Sequence, residues 1–154
     1  FHLHENHNQN NFHKIIYFFY FAKQTVFFVD LNPQNREFVI ERAKRLGISE
    51  LISVHRDLED TSDVKFDTVV CLDVLEHLPD PSNQLSIFSE RLSPKGIALL
   101  NWYFYKGENG EYPFHFDEPE MIDKFFSTLQ VSFLEVFHPF LITTRAYKPR
   151  TYKV

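Results

Sequence analysis

The sequence predicts an α/β fold with a doubly wound, mostly parallel β-sheet that ends in an antiparallel pair of strands. Short apolar runs suited to buried strands alternate with segments whose apolar residues recur at helical spacing. Such alternation is typical of parallel sheets whose right-handed crossover helices cover both faces. The last two runs have no helical segment between them, so we expect them to pair antiparallel.

Composition limits the classes of protein to which the chain can belong. Its 154 residues correspond to one domain, and a net charge of -5 gives no basic surface for a nucleic-acid backbone, so we predict no nucleic-acid partner. The one cysteine, Cys71, excludes a disulfide framework and favours a reducing, cytoplasmic location. The longest apolar segment, residues 15–22, is too short to cross a membrane. Nothing in the sequence predicts an oligomeric state.

The first 24 residues show no clear element. Residues 1–13 are rich in His and Asn without periodicity, which indicates an irregular arm. Its four histidines could bind a metal, but no predicted structure fixes their geometry. Residues 14–24 are strongly aromatic and fit either a buried helix or a strand.

The first regular elements are a strand and a helix. A β-branched and aromatic strand is predicted over residues 25–29, and Asp30 follows it. The helix is predicted to begin with Asn32 as its N-cap and Pro33 in its first turn, and to end before Gly47.

The middle and end of the chain supply the remaining elements. Residues 51–54 form the second predicted strand, and residues 69–72 are the apolar core of the third. The second helix is predicted from Leu85, Phe88 and Leu92, which recur at helical spacing. Pro94 and Gly96 are expected to end it. The third helix is predicted to have Asp117 as its cap and Pro119 near its start. Three further strands complete the sheet, over residues 97–104, 131–137 and 141–147.

Three acids follow predicted strands directly: Asp30, Asp57 and Asp73. Because ligands bind beyond the carboxyl ends of strands in open parallel sheets, these residues predict a binding crevice. Asp30 could accept hydrogen bonds from the hydroxyls of a nucleotide ribose, or it could cap the helix that follows. Asp57 could reach an adenine edge, or it could be a loop acid.

Glu76 and His77 lie where the third strand gives way to a loop. A histidine there could act as a general base on a hydroxyl, with Glu76 or Asp73 orienting it, or it could be a structural residue held by hydrogen bonds. Together with His115, these side chains include oxygen and nitrogen ligands suited to a divalent cation. Their spacing alone is weak evidence, so we predict no metal and take His77 and Glu76 as the catalytic candidates.

Four segments carry a resemblance to a known family: VFFVDLNP, HRDLED, FDTVVCLDVLEHLPDP and LSPKGIALLNW. From about residue 25 to residue 129 the chain resembles the class I S-adenosylmethionine-dependent methyltransferases, especially the small-molecule group that includes the ubiquinone and menaquinone biosynthesis enzymes. The resemblance implies a Rossmann-like sheet with an antiparallel last strand. It also implies S-adenosylmethionine as the cofactor and a small-molecule acceptor, which we expect to be methylated at oxygen.

The resemblance assigns cofactor-binding residues one by one. Asp30 would bind the ribose, and Leu31 would be an apolar neighbour of the adenine. Asp57 and Leu58 would hold the adenine edge. Asp73 would lie near the methionine end of the cofactor.

The chain departs from the family at the turn after the first family strand. That turn is glycine-rich in the family, so that bare backbone approaches the cofactor. This chain has no glycine before Gly47, and the turn would fall near Lys14 and Ile16. We therefore predict an irregular arm and degenerate first unit over residues 1–24 and a methyltransferase-like domain over residues 25–154. Either the N-terminus is altered or truncated, or cofactor binding is weak or lost.

The sequence thus predicts methyl transfer from S-adenosylmethionine to a small molecule, with two alternatives. A degenerate domain without catalysis would keep the sheet as a scaffold for a protein partner. A nicotinamide-dependent dehydrogenase would share a strand-terminal acid, but it also needs a glycine-rich turn and has no place for LDVLEHLPDP.

Overall fold

The structure is a computed structural model that describes residues 25–61, 64–137, 140–141 and 143–151. The predictions for residues 1–24 lie outside the described residues. The described part of the chain forms two compact units. The first contains residues 25–61, and the second contains the described residues from 64 onward. Each unit has its own sheet, of two and four strands respectively.

The first unit is a β-α-β arrangement. β1 (Val26–Val29) pairs in parallel with β2 (Ile52–His55), and α1 (Pro33–Leu46) lies between them in the chain. The side chain of Asn32 accepts a hydrogen bond from the Gln34 N–H at 2.9 Å, so Asn32 caps α1 as predicted. Local signals therefore placed this helix correctly.

Gly47 ends α1 in the left-handed region, with a φ of 68°. A Cβ at this position would meet no atom within 4 Å, so the substitution Gly47→Ala adds backbone strain without a clash. We expect it to lower the free energy of unfolding by about 1–2 kcal/mol, measured by denaturant titration of the helical circular dichroism signal. Gly47→Asn is the control, since asparagine tolerates the left-handed region better. Equal losses in both variants would contradict strain as the cause.

The second unit contains a four-stranded sheet and two helices. The strands are β3 (Phe66–Cys71), β4 (Leu92–Leu100), β5 (Phe133–Val136) and β6 (Arg145–Pro149), and the helices are α2 (Pro81–Arg91) and α3 (Pro119–Ser132). The strand order is β3-β4-β6-β5. β3 and β4 are parallel, whereas β6 runs antiparallel to both β4 and β5. The predicted antiparallel pair at the end of the chain is confirmed.

The core of the second unit is built from the helices and the central strand. Leu85 of α2, Leu100 of β4 and Phe125 of α3 are all fully buried. The helices are also joined at the surface, where Asp80 caps α2 through the Asn83 N–H and pairs with the ammonium group of Lys124 at 3.1 Å. The N–H bond and the ammonium group together lower the pKa of Asp80.

β4 differs from its predicted bounds. It starts well before the predicted residues 97–104 and ends at Leu100. Pro94 and Gly96 lie inside the strand instead of separating it from α2. A Cβ on Gly96 would lie 2.9 Å from the carbonyl oxygen of Phe66, so the two backbones approach too closely for a side chain. The glycine therefore marks a close contact between strands, where the sequence pattern predicted a helix end.

The predicted cap of α3 is wrong. The N-cap position is occupied by Glu118, which makes no side-chain cap bond. Asp117 instead pairs with the ammonium group of Lys106 at 2.9 Å, and the same group lies 3.2 Å from Glu118. Lys106 belongs to the loop after β4, so local sequence could not reveal this competing partner.

Candidate functional site

The carboxyl ends of β1 and β2 meet at one edge of the first unit. Asp30 follows β1, and its N–H donates to the carbonyl oxygen of His55, the last residue of β2, at 3.2 Å. Asp57 follows His55 shortly after. Parallel pairing thus brings Asp30 and Asp57 to the same sheet edge.

Both carboxylate oxygens of Asp30 are hydrogen bonded within the chain. Oδ1 accepts from the Asn32 N–H and Oδ2 accepts from the Asn35 side chain, each at 2.8 Å. Asp30 therefore supports the start of α1. This role is close to the helix cap that the sequence offered as the alternative to ribose binding. Each oxygen retains a lone pair through which a ligand hydroxyl could bind.

The other assigned residues of this unit are accessible to different degrees. The side chain of Leu31 is 66% exposed and is available to a planar ligand. Asp57 Oδ1 accepts from the Glu59 N–H at 3.2 Å. The Leu58 carbonyl accepts from both the N–H and the hydroxyl of Thr61, at 3.1 and 2.6 Å. These bonds hold Asp57 and Leu58 in a defined turn.

Asp73 and Asn101 join the ends of β3 and β4 by reciprocal hydrogen bonds. The Asn101 amide group donates to Asp73 Oδ1 at 2.9 Å, and the Asp73 N–H donates to Asn101 Oδ1 at 2.6 Å. Among the described residues, Asp73 is the one non-glycine with a positive φ, at 55°. The strand predicted over residues 97–104 contained Asn101, and its role was not predicted, although a polar amide directly after an apolar run was an available signal.

Asp73 and Asn101 line an open cavity of about 570 Å³ in the second unit. Its other lining residues are Trp102, Tyr103, Thr143 and Arg145. The Arg145 guanidinium lies 6.0 Å from the centre of the Trp102 ring and 3.5 Å from the carboxylate of Glu135. Aromatic walls with a few polar groups of both charges suit a small polar molecule.

Glu76 is a buried acid that follows Asp73 by three positions in the chain. It is 2% exposed and lies in the short 3₁₀ helix Leu75–His77. Its carbonyl oxygen accepts a hydrogen bond from the Phe116 N–H at 2.8 Å. Within the described residues, its Oε2 atom is inaccessible to solvent and has no hydrogen-bond partner. Burying a carboxylate oxygen without a hydrogen-bond partner or a cation is costly.

Cys71 is excluded as a reactive group by its surroundings. Burial, together with the negative charge of Glu76, raises the pKa of the Cys71 thiol to about 12. The thiol is therefore protonated at neutral pH, which makes it a poor nucleophile and a poor metal ligand.

His77 and His115 face each other with ring centres 4.7 Å apart. His77 Nδ1 lies 3.1 Å from the carbonyl oxygen of Phe114, and His115 Nδ1 lies 3.2 Å from that of Tyr105. Because a carbonyl oxygen can only accept, each Nδ1 must carry a proton. In the neutral rings this leaves a free lone pair on each Nε2.

These two rings and the buried acid form one group, the Glu76–His77–His115 cluster. One carboxylate oxygen and one nitrogen of each ring all lie within 4.8 Å of one another. The Tyr103 ring, which lines the cavity, contacts the His115 ring with centres 5.8 Å apart, so the cluster adjoins the cavity. The sequence named these three residues among possible ligands but could not show that His115 reaches the other two.

A family model and a relative of known function are similar to this chain. The family model for a methyltransferase domain matches residues 15–98, which is more than half of the chain. The ubiquinone biosynthesis O-methyltransferase of Pasteurella multocida (strain Pm70) is 41% identical over 43 residues, covering 28% of this chain and 18% of that protein. The chain therefore matches less than a fifth of that relative's length.

Two solved structures share the fold. A proposed rRNA methylase from Clostridium thermocellum has a TM-score of 0.58 at 16% identity, over 82% of this chain and 73% of that one. The PH0226 protein from Pyrococcus horikoshii OT3 has a TM-score of 0.58 at 17% identity, over 82% and 72%. At these identities the likeness concerns the fold alone, and it confirms the predicted fold class.

Across the part of the chain that the structure describes, every helix falls short of the length and apolar character needed to cross a membrane.

Proposed function

This chain belongs to the class I S-adenosylmethionine-dependent methyltransferases, and from this membership we propose that it methylates a small-molecule acceptor at oxygen. The observation that carries the proposal is that the family match spans all three strand-terminal acids, Asp30, Asp57 and Asp73. The local identity to an O-methyltransferase supports oxygen as the acceptor atom. The net charge of -5 supports a small molecule over a nucleic acid. Family membership also favours catalysis over the protein-binding scaffold.

The residues of the first unit fit the adenosine part of S-adenosylmethionine. Asp30 retains acceptor lone pairs for the ribose hydroxyls, and the exposed side chain of Leu31 offers an apolar surface for the adenine. Asp57 and Leu58, fixed in their turn, would hold the adenine edge. We assign these residues to the cofactor on that chemistry.

The residues of the second unit are assigned to the reacting groups. When bound, S-adenosylmethionine supplies an electrophilic methyl group that moves to the acceptor by in-line displacement, and the protein acts mainly by positioning. Asp73 would face the amino group at the methionine end. Glu76 and His77 would act at the acceptor oxygen. The free nitrogen of His77 could take the acceptor proton or hold a cation, and these two uses exclude each other.

Titration calorimetry with S-adenosylmethionine tests the proposal. We expect binding in the micromolar range, which the substitution Asp30→Ala weakens about tenfold to a hundredfold because hydrogen bonds to a charged acceptor are lost. Asn35→Ala is the matched control, since it removes a support of the Asp30 carboxylate but keeps the carboxylate itself.

Two results would contradict the proposal. The first is an unsubstituted chain that does not bind the cofactor, which is the result expected if the residues near Lys14 and Ile16 cannot replace a glycine-rich turn. Co-purification of a stable protein partner would then favour the scaffold. The second is an equal loss in Asp30→Ala and Asn35→Ala, which would limit Asp30 to supporting α1.

A further inference from the structure

We propose that the acceptor carries a carboxylate in addition to the hydroxyl group that is methylated, and that Arg145 binds this carboxylate. Arg145 would then select the acceptor without taking part in the transfer itself. This assignment rests on the proposed function, because it names the class of acceptor, a small hydroxy acid. The cavity concerned belongs to the second unit, and Asp73, Asn101 and Arg145 are among its lining residues.

Strand pairing brings Arg145 to the edge of the sheet where Asp73 lies. β3 and β4 are parallel, and Cys71 pairs with Leu100 at the carboxyl ends of both strands. Arg145 is the first residue of β6, which runs antiparallel to β4, and it also pairs with Leu100. The start of β6 is therefore at the same edge as Asp73 and Asn101, which follow β3 and β4.

The negative and positive groups of the cavity are separated across the sheet. Since neighbouring strands lie about 4.8 Å apart, the backbone of Arg145 is on the order of 10 Å from that of Cys71, across β4. The Arg145 guanidinium pairs with Glu135 of β5, which lies on the side of β6 away from Asp73. The cavity thus offers a cation at a distance from the acid.

This separation favours the acceptor over the cofactor as the ligand of Arg145. The amino and carboxylate groups of the methionine end of S-adenosylmethionine are attached to the same carbon atom. If Asp73 binds that amino group, the same end of the cofactor cannot bring its carboxylate to Arg145. Arg145 is then left for the second molecule in the cavity, which is the acceptor.

The Arg145 guanidinium has a partner with which a ligand can compete. Nη1 lies 3.5 Å from the Glu135 carboxylate, and the two side chains are 54% and 51% exposed. An ion pair this exposed contributes at most about 1 kcal/mol, so a ligand carboxylate can replace Glu135. The planar fork of N–H donors in a guanidinium matches the two oxygens of a carboxylate.

Trp102 gives the guanidinium a fixed support. The guanidinium lies over the Trp102 ring, 6.0 Å from its centre, where the face of the indole attracts a cation. The Trp102 ring is itself held by the rings of Phe125 and Tyr147, with centres 5.1 and 6.2 Å away. A cation that is already oriented loses less conformational freedom when it binds a ligand, and this favours affinity.

The charges in the cavity favour a carboxylate over a phosphate. Among the described residues that line the cavity, Arg145 is the one lysine or arginine, and Asp73 adds a negative charge. A phosphate ester carries close to two negative charges at neutral pH, which one guanidinium cannot balance. Thr143 also lines the cavity and offers a hydroxyl donor to an anion.

Calorimetry with paired probes tests the proposal on the full chain. S-Adenosylhomocysteine, the product form of the cofactor, is present so that no methyl transfer takes place. Each pair is a hydroxy acid and its neutral amide of nearly the same shape: meta-hydroxybenzoate with meta-hydroxybenzamide, and lactate with lactamide. We expect at least one acid to bind about tenfold to a hundredfold more tightly than its amide, because charge-assisted hydrogen bonds are lost in the amide. Phenyl phosphate should bind more weakly than benzoate.

Three substitutions locate the binding site of the acid. Arg145→Gln should weaken binding of the acid about tenfold to a hundredfold and leave binding of the amide unchanged. Lys148→Gln is the matched control, because it removes the same charge from the opposite face of β6 and should change neither affinity. Glu135→Gln removes the competing carboxylate, so the acid should bind about twofold to fivefold more tightly. A structural role of Arg145 would not produce this gain.

Fluorescence of Trp102 shows whether each variant is folded. If Arg145→Gln is unfolded, the comparison of acid with amide in the unsubstituted chain and the gain in Glu135→Gln still decide the question. S-Adenosylmethionine is titrated separately into each folded variant, and we expect Arg145→Gln to bind it as tightly as the unsubstituted chain does.

The proposal is overturned if no acid binds, if each amide binds as tightly as its acid, or if phenyl phosphate binds more tightly than benzoate. Weaker S-adenosylmethionine binding in Arg145→Gln would also overturn it, since Arg145 would then hold the cofactor. Cofactor binding without selection of acids overturns the acidic acceptor alone and leaves the proposed function intact. Selection of acids by a chain that does not bind S-adenosylmethionine overturns the proposed function, and the acceptor role of Arg145 with it.

Discussion

Replacing Phe125 by alanine should lower the free energy of unfolding of the second unit by about 3–5 kcal/mol. Phe125 is fully buried in α3. Its ring contacts those of Trp102, Phe104 and Phe126 at centre distances of 5.1, 4.9 and 5.3 Å. Bulky rings around a deleted ring close the space only in part, so both burial and packing are lost.

Guanidinium unfolding followed by tryptophan fluorescence measures this loss. Trp102 is the one tryptophan of the chain and touches Phe125, so its signal reports on the second unit. The matched control is Phe126→Ala, which removes the same side chain from the next position of α3, where it is 37% exposed. We expect less than half the effect there. Equal losses would show that burial of Phe125 is not the cause.

The substitution Asp73→Ala should destabilise the second unit by about 2–4 kcal/mol. Two costs combine. Alanine is strained at a φ of 55°, because this angle lies in the left-handed region. The reciprocal bonds with Asn101 are reduced to one, which leaves the Asn101 amide group without its acceptor. The same fluorescence titration measures the change.

Asp73→Asn separates the structural role of Asp73 from its charge. Asparagine tolerates the left-handed region and still offers an oxygen to the Asn101 amide, so we expect a loss below about 1 kcal/mol. Removal of the negative charge should nevertheless weaken S-adenosylmethionine binding about tenfold, because the methionine end carries a positive amino group. Unchanged affinity in calorimetry would mean that Asp73 acts on the backbone alone.

Elements specified by neighbouring residues could be predicted from the sequence. α1 is the clearest case, because Asn32, Pro33 and Gly47 act within a few residues of the helix ends that they define. The predictions failed where a distant group competes. Lys106 draws Asp117 away from a cap position, and the close approach of Phe66 explains why Gly96 lies within a strand.

In the candidate site too, features set by neighbouring residues could be predicted and features set by distant residues could not. The meeting of Asp30 and Asp57 at one edge follows from parallel pairing of strands that the sequence itself indicated. The hydrogen bonds of Asn101 to Asp73 could not be predicted, because they depend on the pairing of β3 with β4. His115 lies far along the chain from His77, and no local pattern relates the two.

The sequence by itself determined the fold class, the family and the strand-terminal acids, because hydrophobic periodicity and short motifs are properties of neighbouring residues. The tertiary structure alone decided that FDTVVCLDVLEHLPDP ends in a buried acid whose neighbours are two oriented histidines. The loop after β4 is held to Glu76 by a backbone hydrogen bond from the Phe116 N–H, which any residue except proline could make. Such a backbone bond leaves no trace in side-chain identity, which is why the sequence could name the three residues but could not show that they lie together.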